Sequence, residues 1–379
     1  MRLIISLVWL SGVAFDAQAG EVQLPKTLAW SAYNLGTTGY NQAVAIGKVL
    51  KDEYNVTLRV IPGKNDISRL LLLVKGRVQL SANGMATYFA QEGVFQFENE
   101  KWGPIRLRLV ISSNGESNQS LAVAADTGIT HPSELRGRRV PYVRGAPALN
   151  VAIEAFLACG DLGWDDVERV DFPGYNSMWN GIVNGHVDAA FANTVSGPAR
   201  KLEASPRGIR WLEITPEDKD CTRRLLKVAP YFTPHVATRG AGITVDAPNV
   251  GMTYPYPLLI GLDTTDETLV YSMIQVIHKH YDAFKNADPG AIGWAMDRQL
   301  LSYVVPYHVG AVRYLREIGV WTEENESNNQ RLLERQRVLG AAWSRHKQNE
   351  FSDDDAFRLA WRSSRVVALE AAGFDPVWR

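Results

Sequence analysis

Leu135–Gly160 reads LRGRRVPYVRGAPALNVAIEAFLACG, and it places a strand, a glycine-containing turn and a helix start in that order. Val140-Pro141-Tyr142-Val143 is a short apolar run, and Arg144-Gly145-Ala146-Pro147 is the turn. Leu149, Ala152, Ile153, Phe156 and Leu157 then recur at helical spacing and form one apolar stripe. Pro147 suits the first helical turn, and Gly160 suits the stop. Free backbone N–H groups at a helix N-terminus favour an anion, and a glycine lets a ligand approach the chain closely. Arg144 adds a planar fork suited to a carboxylate or phosphate. The stretch therefore predicts a βα turn that holds an acid with Arg144 and the N–H groups of Gly145 and Ala146. The alternatives are an ordinary turn whose arginine is solvated, and an Arg144 that salt-bridges within its own lobe while Lys64 or Arg69 takes the anion.

The same unit recurs on both sides of this stretch. Thr27–Trp30 starts a strand that runs into Asn34-Leu35-Gly36-Thr37-Thr38-Gly39-Tyr40, and Ala43, Ile46, Gly47 and Leu50 mark the helix after it. Val56–Ile61 alternates as a strand up to Pro62-Gly63-Lys64-Asn65, and Ile67, Leu70, Leu71 and Val74 give the next helix, closed by Gly76. Val78–Ala82 is a short strand ending on Asn83. Further on, Val167–Phe172 leads through Pro173-Gly174-Tyr175-Asn176 to a helix carrying Met178, Trp179, Ile182 and Val183. Val187–Ala192 then ends on Asn193, so a Gly-terminated helix, a strand and a terminal Asn occur twice. This alternation predicts an α/β fold of two similar lobes, with ligand held outside the strand C-termini. Strand-like Leu107–Ser112 and Ser120–Ala125 flank a polar Ser113–Asn118 turn, read as one crossing between lobes, and Val250–Gly261 reads as the return. The lobes are then residues 20–117 plus 254–379, and residues 118–253. Beyond Asp266 the pattern is almost wholly helical, over Leu269–Phe284, Gly310–Ile318, Gln330–His346 and Asp355–Ala372.

A chain of 379 residues accommodates two domains, and 46% hydrophobic with 21% charged residues describes a globular protein. A net charge of −1 argues against a nucleic-acid partner, which favours a basic surface. Arg2, the apolar run Leu3–Phe15 and Ala17-Gln18-Ala19 read as an export leader over residues 1–19, cleaved near Ala19/Gly20. In an oxidising compartment Cys159 and Cys221 can form one bridge or stay as two thiols. The seven histidines show no H-E-x-x-H spacing, so no metal or cofactor is expected. G-x-S-x-G does not occur, and Asp165-Asp166 and Asp353-Asp354-Asp355 read as helix starts or solvated runs rather than catalytic pairs.

These stretches, in this order, resemble the TAXI-type solute-binding proteins of tripartite (TRAP) transporters. The resemblance rests on Gly36–Tyr40 opening the first helix and on Ser133-Glu134-Leu135-Arg136-Gly137-Arg138-Arg139-Val140. It also rests on Cys159-Gly160-Asp161-Leu162 with Asp165-Asp166-Val167, on Tyr175, on Gly185-His186-Val187-Asp188-Ala189-Ala190-Phe191, and on His308-Val309-Gly310-Ala311 with Glu317-Ile318-Gly319. It implies a type II periplasmic binding protein: a monomer of two lobes joined by two hinge strands, here with a helical C-terminal extension. It also implies no enzymatic activity and no cofactor. The partners implied are a small organic anion (a dicarboxylate, keto acid or acidic amino acid) and the TRAP membrane permease subunits. The ligand loops depart from the family pattern at Gly63-Lys64, at Asn83 and at Arg144-Gly145-Ala146-Pro147. With the residue reading, the resemblance gives a candidate ligand set of Asn34, Thr37, Thr38, Tyr40, Lys64, Asn65 and Asn83 from one lobe. Arg144, Gly145, Ala146, Tyr175, Asn176 and Asn193 from the other lobe, with Tyr254 on the return crossing, complete it. The alternatives are a ligand-sensing subunit for a membrane receptor and a secreted enzyme on the same fold.

Overall fold

The computed structural model describes residues 20–379, so the expected leader lies outside the described residues. The first part of the chain runs β1 (Thr27–Ala32), α1 (Thr38–Tyr54), β2 (Thr57–Pro62), α2 (Asp66–Val74), β3 (Leu80–Asn83), α3 (Ala86–Glu92) and β4 (Leu107–Ser112). Then come β5 (Gln119–Ala124), β6 (Arg139–Val143), α4 (Pro147–Cys159), β7 (Glu168–Phe172), α5 (Tyr175–Val183) and β8 (Ala189–Asn193). They are followed by α6 (Gly197–Glu203), β9 (Ile209–Trp211), α7 (Lys219–Val228), β10 (Thr233–Ala237) and β11 (Asn249–Thr253). The chain closes with β12 (Leu258–Leu262), α8 (Glu267–Lys279), α9 (Tyr281–Phe284), α10 (Val309–Glu317), α11 (Glu323–His346) and α12 (Asp354–Ala371).

Two sheet systems make the lobes. In the first, the strand order is β2-β1-β3-β12-β4, with β1 parallel to β2 and β3, and β12 antiparallel to β3 and β4. In the second, β6 and β7 are parallel, and β8-β5-β9 is a ladder in which β5 is antiparallel to β8. The backbone bond from Asp188 N–H to the Arg139 carbonyl joins β8 to β6. The second system therefore reads β7-β6-β8-β5-β9 and repeats the first. In each, the antiparallel member beside the third strand arrives from the other side of the molecule: β12 on the return and β5 on the way out. The repeated Gly-strand-Asn pattern falls on β3 and β8, and both preceding glycines, Gly76 and Gly185, adopt positive φ. This is the two-lobed α/β architecture expected of type II.

Burial explains why the elements form where they do. Every residue of β5 and β8 is buried, which matches strands covered on both faces. Helix α4 is apolar nearly all round because it lies between its sheet and α7, to whose first turn it is bonded through Cys159–Cys221. The alternative of two free thiols is thereby settled in favour of the bridge.

The C-terminal part is less uniformly helical than its sequence suggests. Residues 285–308 hold only two short 3-10 turns, and Leu269–Phe284 is two helices rather than one. Helices α11 and α12 pair with each other and seat on α3. Trp361 donates to the Gly93 carbonyl at 2.7 Å, and Arg362 pairs with Glu98. The chain end then crosses to the second lobe, where the Trp378 indole N–H reaches the Val228 carbonyl at 3.1 Å.

Candidate functional site: a closed cavity between the lobes

The strand ends and helix starts of the two lobes meet across one small cavity. Its first wall carries Tyr33, Thr37, Thr38, Asp66, Arg69, Gly84 and Met85, and its second Gln119, Ala148, Leu149, Tyr175, Phe191, Ala192, Asn193 and Ser196. Tyr254 and Tyr256 on the return crossing complete it. The enclosed space is about 40 Å³, room for about three water-sized groups at about 10–15 Å³ each.

Asp66 and Arg69 sit one helical turn apart on α2 and are each 1% exposed. The Arg69 Nη2 donates to Asp66 Oδ1 at 2.6 Å, and its Nη1 to the Ala82 carbonyl at 2.8 Å. Its guanidinium carbon lies 3.6 Å from the Tyr33 ring centroid, and the Tyr33 hydroxyl also donates to Asp66 Oδ1, at 3.0 Å. Burial opposes the guanidinium charge, but Tyr33 and Asp66 outweigh it and hold its pKa above the ordinary value. Burial likewise pushes the Tyr33 and Tyr254 phenols well above their usual range, and that of Tyr256 to about 12. All three therefore stay protonated near neutrality.

Four hydrogen bonds close the mouth of the cavity from lobe to lobe. Asn65 Nδ2 donates to the Arg144 carbonyl at 2.9 Å, and the Ile67 N–H to the Gly145 carbonyl at 3.1 Å. The Tyr175 N–H reaches the Lys64 carbonyl at 3.1 Å, and the Ala148 N–H reaches Asp66 Oδ2 at 3.0 Å. The Tyr33 and Tyr175 rings lie 5.1 Å apart across the same gap. Gly145 is required at this seam: its φ is +75°, and a Cβ there would come within 2.4 Å of the Asn65 amide nitrogen.

Of the candidates read from sequence, Thr37, Thr38, Tyr175, Asn193 and Tyr254 line the cavity. Asn65 does not, because its side chain is used twice elsewhere: it caps α2 through Ser68 N–H at 2.9 Å and bonds across the mouth. Lys64 is exposed and contributes its carbonyl, not its ammonium, to the seam. Asn83 is buried beneath the wall, where its Oδ1 accepts from the Gly84 N–H at 2.9 Å. Asn34 shapes its own turn by accepting from Thr37, and Tyr40 is half-buried outside the lining. Asn176 lies in a neighbouring groove with Leu35 and Trp179.

The turn at Arg144 departs most from expectation. The Arg144 side chain is 68% exposed, with Asp171 of its own lobe 3.9 Å away, and it does not reach the cavity. The Ala146 N–H is used internally by the Val143 carbonyl. The start of α4 does hold an anion, but that anion is the protein's own Asp66, reaching over from the other lobe. Arg144→Ala is accordingly expected to bind an acidic ligand within about twofold of the parent, because exposed pairs contribute about 0–1 kcal/mol. Calorimetry showing a tenfold loss would return the ligand to this turn.

Sequence reading passed over Asp66, Gln119 and Tyr256 as site residues, and offered Arg69 only as an alternative to Arg144 for the anion. Asp66 and Arg69 fall inside a helical stretch in which only the apolar positions signal anything. The placement of Asp66 directly after a capping Asn was the available clue. Gln119 begins a strand, and Tyr256 sits in Tyr254-Pro255-Tyr256-Pro257, where the aromatic repeat was the signal.

Strand ends and helix starts from two repeated lobes, closed over one polar and aromatic cavity, define a two-lobed α/β fold of the type II periplasmic-binding-protein kind. The chain belongs to the NMT1-like family, whose profile matches residues 34–319. Helices α11 and α12 lie beyond that match. Among solved structures the chain is similar to the alkanesulfonate-binding protein SsuA from Xanthomonas axonopodis pv. citri bound to MOPS. Identity there is 14%, over 82% of this chain and 83% of that one, with a TM-score of 0.44. It is also similar to the periplasmic aliphatic sulphonate binding protein SsuA from Escherichia coli, at 11% identity over 93% and 89% with a TM-score of 0.43. A protein from Bordetella bronchiseptica RB50 is similar at 15% identity over 81% and 98%, with a TM-score of 0.46. No curated protein matches the sequence.

Proposed function

We propose that this protein is the periplasmic solute-binding subunit of a TRAP-type transporter, of the TAXI kind, which captures a small organic anion between its lobes and passes it to the membrane permease. The observation that carries the reading is the enclosed inter-lobe cavity with a buried arginine, Arg69, in its wall. A closed compartment built from helix starts and strand ends suits capture of a whole small solute. The only carboxylate in its wall among the described residues, Asp66, is committed to Arg69, Tyr33 and Ala148, which supports binding rather than general acid–base chemistry. On this reading residues 1–19 are removed on export. The lobes are residues 20–117 with 254–379, and residues 118–253, and they open by a hinge at the two crossings.

A thermal-shift screen of the mature chain against monocarboxylates, dicarboxylates, keto acids and acidic amino acids tests it. A ligand present at 100 times its dissociation constant adds about 2.7 kcal/mol, a readily measured rise in Tm. At least one acid is expected to give that rise. A screen in which only uncharged solutes stabilise the protein would overturn the reading.

A further inference from the structure

Three donors in the cavity wall come from three different elements and have no partner: Arg69 Nε on α2, Thr38 Oγ1 at the start of α1, and Gln119 Nε2 at the start of β5. Their residues are 1%, 2% and 3% exposed. A buried donor left unpaired carries a desolvation penalty, so three on residues that line one compartment are explained by an acceptor that arrives with the ligand. We infer that Arg69, Thr38 and Gln119 form the subsite for a single acidic group, and that the natural ligand is a compact monocarboxylate or similar monoanion whose remaining part is uncharged. This rests on the inter-lobe binding proposed above and narrows its ligand class.

The count of charges in the wall argues for one acid rather than two. Among the described residues Arg69 is the only cation lining the cavity, and its charge is already shared with Asp66, the only anion. Beyond the three free donors the lining includes the aromatic and aliphatic side chains of Tyr33, Tyr175, Tyr254, Met85, Leu149 and Phe191, with Thr37, Asn193 and Ser196 as neutral polar members. Buried charge needs a pairing charge or several charge-assisted bonds. A first carboxylate finds three donors, one of them on the guanidinium itself. A second would face mainly aromatic and aliphatic walls, where the hydroxyls of Thr37, Ser196 and the tyrosines and the Asn193 amide are neutral groups and no second cation stands among the described residues. Tyrosine and methionine side chains instead suit the uncharged part of an acid, by area burial and by ring contact.

Calorimetry on the full mature chain tests this with small matched pairs that differ by one carboxylate: propanoate against malonate, and pyruvate against oxomalonate. The monoacid of each pair is expected to bind at least tenfold tighter. Gln119→Leu and Thr38→Val each remove one donor without changing charge, and each is expected to weaken the monoacid about 10- to 100-fold. Gln119→Glu places a like charge at the subsite and is expected to abolish binding of the acid. Urea unfolding of each variant, with a midpoint close to that of the parent, serves as the control that the variants are folded. Diacids binding tighter than their monoacid partners would overturn the single-acid subsite and leave the transport reading standing. Parent-like affinity for the monoacid in both donor variants would overturn the choice of residues. Failure of every acid to bind the folded parent would overturn both.

Discussion

Glu92→Ala is expected to destabilise the protein by about 3–5 kcal/mol, the usual cost of removing one partner from a buried ion pair. Glu92 is the last residue of α3, and its side chain is fully buried between two arginines of the C-terminal hairpin. Arg335 binds it bidentately, with both contacts at 2.7 Å, and Arg365 reaches its Oε2 at 2.5 Å and its carbonyl at 3.0 Å. The remaining donors of both arginines are taken by the carbonyls of Asp375, Pro376 and Trp378. One carboxylate therefore fastens α11, α12 and the chain end to the first lobe at once. Without it two guanidinium groups would stay buried with carbonyls only. Burial alone would raise the Glu92 pKa, but Arg335 and then Arg365 outweigh it and hold the value below the ordinary 4.5. A depressed folded pKa means that this stability is whole above the unfolded value. It is lost as pH falls through the folded one, so acid should release the hairpin. Urea unfolding followed by tryptophan fluorescence reads the effect directly, since Trp343, Trp361 and Trp378 all sit in or beside this hairpin. A midpoint for Glu92→Ala within about 1 kcal/mol of the parent would show that the hairpin is held mainly by its apolar contacts.

The parts of the fold that were legible in the sequence are those whose burial follows a period. The run Val140–Val143 and the stripe from Leu149 to Leu157 became β6 and α4 because one strand and one helix bury them against a common core. Leu107–Ser112 became β4 without a shift. Helix α3, Ala-Thr-Tyr-Phe-Ala-Gln-Glu, was not legible, because all seven of its residues are buried and no stripe distinguishes one face. Its Glu92 looks like a surface acid until two arginines more than 240 residues away arrive. Helix α7 was hidden for the opposite reason. Its polar sequence buries only Cys221 and Leu225, and the disulfide holds it in place.

The site was half legible on the same grounds. Thr37, Thr38, Tyr175, Asn193 and Tyr254 stand at strand ends or the helix starts after them, where ligands gather in α/β folds, and all five line the cavity. Arg144 obeys the same positional rule and faces solvent, because position along the chain does not determine which way a long side chain runs. The sequence reading assigned the α4 N-terminus to the acid of a ligand, whereas its Ala148 N–H meets the protein's own Asp66. Which carboxylate meets it depends on the approach of the other lobe, and no local pattern contains that information. Trp378 gives the same lesson at the chain end, since its bond to Val228 joins residues 150 positions apart.

Asp66→Ala is expected to damage both folding and closure, and Asp66→Asn to separate the two. Two partners of the carboxylate, Arg69 and Tyr33, are in its own lobe, while the third, the Ala148 N–H, belongs to the opposite one. Alanine leaves Arg69 buried without its counter-ion, at a cost of about 3–5 kcal/mol to the first lobe. Asparagine keeps one oxygen for Arg69 and Tyr33 and turns its amide N–H groups toward the Ala148 N–H, where two donors oppose each other. The capping bond at the start of α4 is then lost, together with the attraction between a carboxylate and the helix dipole. Each is worth about 1 kcal/mol. A change of about 1–2 kcal/mol moves an equilibrium about 5- to 30-fold, so the closed population should fall by that factor. Ligand affinity should fall with it, because a solute that needs the closed form must then supply the cost of closing. Small-angle scattering of ligand-free Asp66→Asn is expected to show a larger radius of gyration than the parent, with both compacting at saturating ligand. The variant should unfold nearer to the parent than Asp66→Ala does. If ligand-free Asp66→Asn scatters like the parent and binds as tightly, the bond across the mouth does not govern closure, and the carboxylate serves only to pair Arg69.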